Sequence, residues 1–243
     1  MLKKIIKKTI RVLLSPFILK DYILFVRKTA NKRFSVDFLD FYPQVKDKTV
    51  KTGFDRHYVY HTSWAARKVK EINPTKHIDI SSSLYFCGVV SAFIDVDFYD
   101  YRPADLHLSG LQSLEGNLHN LPFKTGTVKS ISCMHTIEHI GLGRYGDPID
   151  PMGDIKAIDE LKRVVESGGN LLFVTPVGKP KIEFNAHRIY SFEQIKSYFY
   201  GFDLKEFSLI PEHAKNGGIL EHADPKLVGQ ENYACGCFWF VKK

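Results

Sequence analysis

Between Cys133 and Asp147 the sequence reads Cys-Met-His135-Thr-Ile-Glu138-His139-Ile-Gly-Leu-Gly-Arg144-Tyr145-Gly-Asp147, a dense run of side chains that can move protons or hold charge. Glu138 and His139 are adjacent, so a carboxylate and an imidazole can serve one reacting group. His139 is the leading candidate base, because imidazole titrates nearest to neutral pH. The plainer role for either residue is to cap or brace the loop that follows. Arg144, Tyr145 and Asp147 stand in a Gly-rich loop of a length that can form a lid over a ligand or remain an ordinary solvated surface. A second cluster, Asn185-Ala-His187-Arg188, offers a further acid–base candidate in His187. Its Arg188 has a planar fork suited to a carboxylate, phosphate or polyhydroxyl acceptor. The four cysteines, Cys87, Cys133, Cys235 and Cys237, sit mostly in apolar runs. Cys235-Gly-Cys237 reads as one face of a strand, and with no second pair to complete a zinc site no metal is expected.

The elements that must position these groups follow from hydrophobic periodicity. Short β runs are expected over 77–81, 96–100, 114–118, 128–134 and 170–175, the last stopped by Pro176, with closing strands over 204–210 and 235–241. Helices are expected over 63–72, 84–93, 154–165 (ended by Gly168-Gly169) and 191–200, the last opening with Ser191 and Gln194 as a capping pair. Strands alternating with helices predict an α/β fold, doubly wound, with a mostly parallel sheet buried on both faces, which accounts for unbroken apolar runs such as Leu171-Leu-Phe-Val174. Ligands of such sheets bind beyond the carboxyl ends of the strands, where the strand order reverses. His135-Thr-Ile-Glu138-His139 also fits the pattern of the inverted zinc peptidases, but that chemistry needs both histidines on one helix. Gly141 and Gly143 follow too closely for one.

Charge is unevenly spread. The chain has 243 residues and a net charge of +7, yet ten of its 34 basic residues and one of its 27 acids fall within residues 1–33, a net of +9 that leaves the remainder at −2. Basicity therefore belongs to the N-terminus, and a nucleic-acid-binding catalytic face is not implied. Over residues 2–26 lysines alternate with Ile, Leu and Phe at near-helical spacing, with Ser15-Pro16 expected to kink or break the helix. Two placements satisfy that pattern: a helix lying in the interface of an anionic membrane, or one packed on the protein with a solvated charged face. A secretory signal would need a small-residue cleavage site, and none follows cleanly. The division expected is a basic segment over 1–33, a helical and irregular lead-in over 34–75, and the main domain over 76–243. The setting is a reducing cytosol, peripheral to the inner membrane face.

Several segments, in register, resemble the class I S-adenosylmethionine-dependent methyltransferases over residues 76–243. Asp79-Ile-Ser81-Ser-Ser83 stands where that family has an acid and a glycine-rich turn. Asp100 stands where an acid ends the second strand and bridges the ribose hydroxyls. Gly116-Asn117-Leu118-His-Asn-Leu-Pro-Phe123 replaces with Asn117 the acid that meets the adenine amine, and His135 opens the segment after the fourth strand. The resemblance implies a seven-stranded Rossmann-like sheet with S-adenosylmethionine as methyl donor. Its cofactor contacts would come from Asp79, Ser81, Ser83, Asp100, Asn117, Leu118 and His135, its chemistry from His139, Glu138 and His187, and its acceptor contacts from Arg144, Tyr145 and Arg188. The acceptor implied is a small or glycan-type molecule methylated on oxygen. Serine lacks glycine's freedom at positive φ, so the altered turn keeps open a second expectation, a non-catalytic binding protein on the same fold. The phrases Glu138–Asp147 and Asn185–Arg188 look like a narrower group of methyltransferase-like proteins from bacteria and nematodes, a domain of unknown function 268-like family without assigned activity.

Overall fold

The computed structural model describes residues 16–29, 34–44 and 47–243. It divides into two compact units, Met1–Phe54 and Asp55–Lys243. In the smaller unit, α1 (Pro16–Lys28) begins with proline at the first helical position, where its missing N–H would be unpaired in any case. The longer helix expected over residues 2–26 falls partly outside the described residues. The ring of Tyr22 meets Phe38 and Phe41 edge-on, at centroid distances of 6.0 and 5.3 Å. No helix among the described residues is long and apolar enough to cross a membrane.

The larger unit opens with α2 (Arg56–Ile72), which starts earlier than the apolar pattern implied because Asp55 caps it, its side chain accepting from Tyr58 N. This helix is part of the larger unit rather than of a separate lead-in. Next come β1 (Lys76–Ile80), α3 (Leu84–Val90), β2 (Asp95–Asp100), β3 (Leu111–Glu115) and β4 (Val128–Met134). After them follow α4 (Gly153–Val164), β5 (Val165–Val177), the short β6 (Lys181–Glu183) and β7 (His187–Ile189), α5 (Phe192–Tyr198), β8 (Phe202–Ile210) and β9 (Ala234–Lys242). Seven strands form one sheet in the order β3-β2-β1-β4-β5-β9-β8. β1 to β5 pair in parallel, and β9 enters antiparallel between β5 and β8. The order reverses between β1 and β4, the place where such sheets bind ligands.

Side-chain alternation along the buried strands feeds two cores. Leu171 and Phe173 pack with Ile158 and Leu161 of α4 and Ile195 and Phe199 of α5. Leu172 and Val174 pack with Trp64, Ala65 and Val69 of α2 and Phe86 and Val90 of α3. Burial on both faces is why these strands are apolar throughout.

Two expectations are corrected here. Gly168-Gly169 does not end α4: the chain turns into β5 directly at Val165, and both glycines lie inside the strand. Nor does Pro176 stop β5. It pairs opposite Cys235 while its carbonyl accepts from Tyr190 N. Because a strand residue's N and O point to the same side, the missing N–H of Pro176 faces away from β9, and the ladder loses nothing.

Candidate functional site

The first part of the site lies at the carboxyl ends of β1, β2 and β3. Asp79 is fully buried: Oδ1 accepts from Ser82 N at 3.0 Å, and Oδ2 accepts from the Ser132 hydroxyl. It braces the turn from beneath, and burial lifts its carboxyl to about 6. Ser81 adopts φ +53°, the left-handed conformation that glycine would take without strain. It is pinned there by Ser81 N donating to Tyr99 O at 2.8 Å and by the Thr136 hydroxyl donating to Ser81 O at 3.0 Å. Ser81 is therefore held in a conformation that glycine adopts more readily. Ser83 is the N-cap of α3, and its side chain makes no capping bond.

Asp100 is half-buried at the end of β2. Its Oδ1 accepts from Arg102 N at 2.8 Å, while no protein donor meets Oδ2 among the described residues. Asn117 is exposed after β3, with Oδ1 accepting from His119 N at 2.9 Å, which leaves its amide N–H groups as donors. Beside it Gly116 cannot be replaced cheaply, since a Cβ there would sit 2.9 Å from Cβ of Tyr99. Tyr85, the bulky residue of the turn region, is 91% exposed and does not fill the crevice. Turn, acid and amide thus fit a nucleoside with a charged amino-acid tail. Leu118, expected at the cofactor, is buried in the core with Leu121.

The second part lies past β4. His135 also takes a left-handed backbone, φ +53°, which turns its ring away from the β1 crevice expected for it and toward α2. There it stacks on His57 at 5.5 Å and Tyr58 at 5.5 Å and meets His61 at 4.9 Å. Its Nδ1 lies 2.8 Å from Glu138 Oε1, and its Nε2 lies 3.4 Å from Cys235 Sγ. Ligating atoms of His57, His135 and Cys235 all fall within 4.8 Å of one another. Burial holds the imidazoles neutral, lowering His57 to about 4, His61 to about 3 and His135 to about 4, and it raises Glu138 to about 7. The other carboxylate oxygen of Glu138, Oε2, is buried with no protein partner among the described residues. Tyr233 covers this group, stacking on His57 at 5.1 Å and meeting the tilted ring of His187 at 4.9 Å.

His139 is held differently. Its Nδ1 lies 2.6 Å from Ala186 O, so Nδ1 carries the proton and Nε2 keeps a lone pair. Burial lowers its pKa, favouring that neutral form. Arg144 donates to Ala186 O at 3.1 Å, and Tyr145 meets the His139 ring edge-on at 5.7 Å. The loop is closed by Asp147 Oδ2 accepting from Gly141 N at 2.6 Å. Gly141 is required here, since a Cβ would sit 2.1 Å from Asp150 O. β6 and β7 pair as a hairpin that delivers Ala186 and His187 to this place, an element the sequence did not suggest.

Arg188, expected to meet an acceptor, is instead buried. It donates to Ile140 O at 2.6 Å and pairs with Asp154 at 3.5 Å, and Asp154 also accepts from the Tyr190 hydroxyl at 2.9 Å. Its work is to fasten the loop. The structure therefore brings Glu138, His139, Arg144, Tyr145 and His187 together and withdraws Leu118 and Arg188. It adds His57, His61, Tyr233 and Cys235, which sequence reasoning missed. The available signal was the pair His57 and His61, one helical turn apart behind the cap Asp55.

Comparison with known proteins places this geometry. Residues 116–216 match the family model described as Caenorhabditis protein of unknown function, DUF268. No curated protein matches. Among solved structures, a SAM-dependent methyltransferase from Thermotoga maritima aligns at TM-score 0.50 and 17% identity, over 76% of this chain and 91% of that one. A protein described as a sarcosine dimethylglycine methyltransferase from Galdieria sulphuraria aligns at TM-score 0.53 and 11% identity, over 76% and 86%. The chain thus has the fold of the class I S-adenosylmethionine-dependent methyltransferases, with the DUF268 match running from the turn after β3 to the loop after β8.

Proposed function

We propose that this protein is an S-adenosylmethionine-dependent methyltransferase that modifies an oxygen of a small or glycan-type acceptor at the cytoplasmic face of a membrane. The observation that carries the reading is the pairing of a left-handed Ser81 turn with an unengaged Asp100 oxygen at the switch in strand order. When bound, S-adenosylmethionine would supply a methyl carbon to an acceptor oxygen in line with its cationic sulfur, the C–S bond breaking as the C–O bond forms and the thioether leaving.

This chain's residues do the rest. The turn after β1 exposes backbone groups to the amino-acid tail, Asp100 accepts from ribose hydroxyls, and Asn117 offers its amide to adenine. His139, neutral and with an Nε2 lone pair that Arg144 Nη1 approaches to 3.5 Å, takes the acceptor's proton as the new C–O bond forms once the acceptor displaces that contact. Arg144 and Tyr145 wall the acceptor side, and holding acceptor and donor in line supplies much of the rate. The basic segment, residues 1–33, would bring the chain to an anionic surface where such acceptors lie.

A second reading, a binding protein without transfer, is favoured by the side chains of Ser81 and Ser83 where the family has none. Incubation with methyl-labelled S-adenosylmethionine and a panel of sugars and small alcohols separates the two: label on an acceptor oxygen supports the enzyme, and donor binding without label on any acceptor supports the second reading. Flotation with anionic liposomes, with and without residues 1–33, tests the membrane part, and equal flotation would remove it.

A further inference from the structure

We propose that His57, His135 and Cys235 form a zinc site beside Glu138 and beneath Tyr233. The argument is geometric. Zinc bound tetrahedrally by nitrogen and sulfur, with Zn–N of about 2.0–2.1 Å and Zn–S of about 2.3 Å, sets its ligand atoms roughly 3.3–3.6 Å apart. Cys235 Sγ and His135 Nε2 already stand at 3.4 Å, and the ring nitrogen of His57 completes a triangle no wider than 4.8 Å. The His57 and His135 rings lie nearly parallel, at an interplanar angle of 15°, so a shared ion requires one ring to turn until both nitrogen lone pairs converge.

The surroundings match what a zinc-binding histidine requires. A ligating imidazole turns one nitrogen to the metal and donates from the other to a carboxylate that fixes the tautomer. His135 is arranged so: Nδ1 on Glu138 Oε1 at 2.8 Å, Nε2 toward Cys235. Its left-handed backbone at φ +53° is a cost that the surrounding structure must offset, as at functional positions elsewhere. No other His, Cys or carboxylate joins the three among the described residues. Three protein ligands with one position open is the pattern of zinc sites that bind a substrate atom rather than of sites that only hold a fold. Nitrogen with sulfur favours zinc over magnesium or calcium, which take oxygen. The expectation that the cysteines bind no metal rested on the missing second cysteine pair, but the partners here are histidines far away in sequence.

This inference is independent of the methyl-transfer reading, since its test contains neither donor nor acceptor. The full chain is stripped with a chelator and titrated with Co2+, then with Zn2+. The proposal expects one Co2+ per chain, with a thiolate-to-cobalt charge-transfer band and the intense visible bands of a tetrahedral centre, both lost when zinc displaces the cobalt. Cys235→Ser abolishes the charge-transfer band, whereas Cys237→Ser keeps it. Glu138→Gln weakens zinc about 10–100-fold, and His57→Ala weakens it further. His57 lies half-buried on the first turn of α2, so that variant serves should Cys235→Ser fail to fold by circular dichroism. An octahedral spectrum without charge transfer, or a band that survives in Cys235→Ser or zinc affinity unchanged in His57→Ala, would overturn the site.

Discussion

Along the carboxyl edge of the sheet, the ends of β1, β2 and β3 present polar groups that remain open to a ligand, while the ends of β4, β5 and β9, with α2 across them, enclose theirs. Asp100 and Asn117 each make one short-range bond to a backbone two residues on. His135 meets His57 near one end of the unit and Cys235 near the other as well as Glu138 three residues on, and the side chains of Glu138, His135 and Cys235 lie almost wholly out of water. A nucleoside crevice needs a turn and an acceptor, which local sequence can supply. A reaction centre needs desolvated groups with displaced pKa values, and only distant parts of the chain converging can supply those.

The sharpest way to test that division is to remove a group on the enclosed side and watch the open side remain intact. His139→Ala should lower turnover by about 10²–10⁴-fold and leave S-adenosylhomocysteine affinity unchanged, read by steady-state rates beside equilibrium titration. Equal losses in both would erase the distinction. Next in size is Arg188→Ala, which leaves Asp154 buried without its cation and should cost about 3–5 kcal/mol in urea unfolding. A change under about 0.5 kcal/mol would return Arg188 to the acceptor side as a solvent-facing group.

Beneath the open turn, Asp79 is itself buried and gives a pH signature. Its carboxyl is raised to about 6 in the fold from an ordinary 3.8. The protonated acid is thus the form the fold prefers, and its contribution is complete below about pH 4 and lost as pH rises through about 6. The stability of wild type relative to Asp79→Asn should accordingly fall across that window, and a flat difference curve would contradict the burial argument. The smallest effect belongs to Ser81→Gly. Relief of a left-handed serine is worth about 1–2 kcal/mol, partly cancelled by glycine's unfolded-state freedom, so stability and donor affinity should each rise by less than about 1 kcal/mol. A fall in affinity would mean that the hydroxymethyl group is part of the pocket.

How much of this was legible in the sequence follows the same division. The segments around Asp79, Asp100 and Asn117 could be placed because each signal lies within one strand and its turn. Glu138 and His139 could be placed just past β4 for the same reason. The β6–β7 hairpin was hidden, since Lys181–Glu183 and His187–Ile189 are too short for periodicity to register. Arg188 reads as an acceptor contact until Asp154 of α4 is seen beside it. Pro176 reads as a strand stop until the side on which its nitrogen lies is known. The cluster of His57, His135 and Cys235 exists only in three dimensions, and the helical spacing of His57 and His61 was its one local trace.

The central claim is that the β1–β3 end of the sheet holds S-adenosylmethionine through Asp100. Isothermal titration of S-adenosylhomocysteine into the full chain and into Asp100→Ala tests it most directly. Two charge-assisted hydrogen bonds of about 1.5 kcal/mol each predict saturable one-to-one binding to the wild type and a loss of about 100-fold in the variant. No heat from the wild type at millimolar ligand, or equal affinity in the two proteins, would contradict the account.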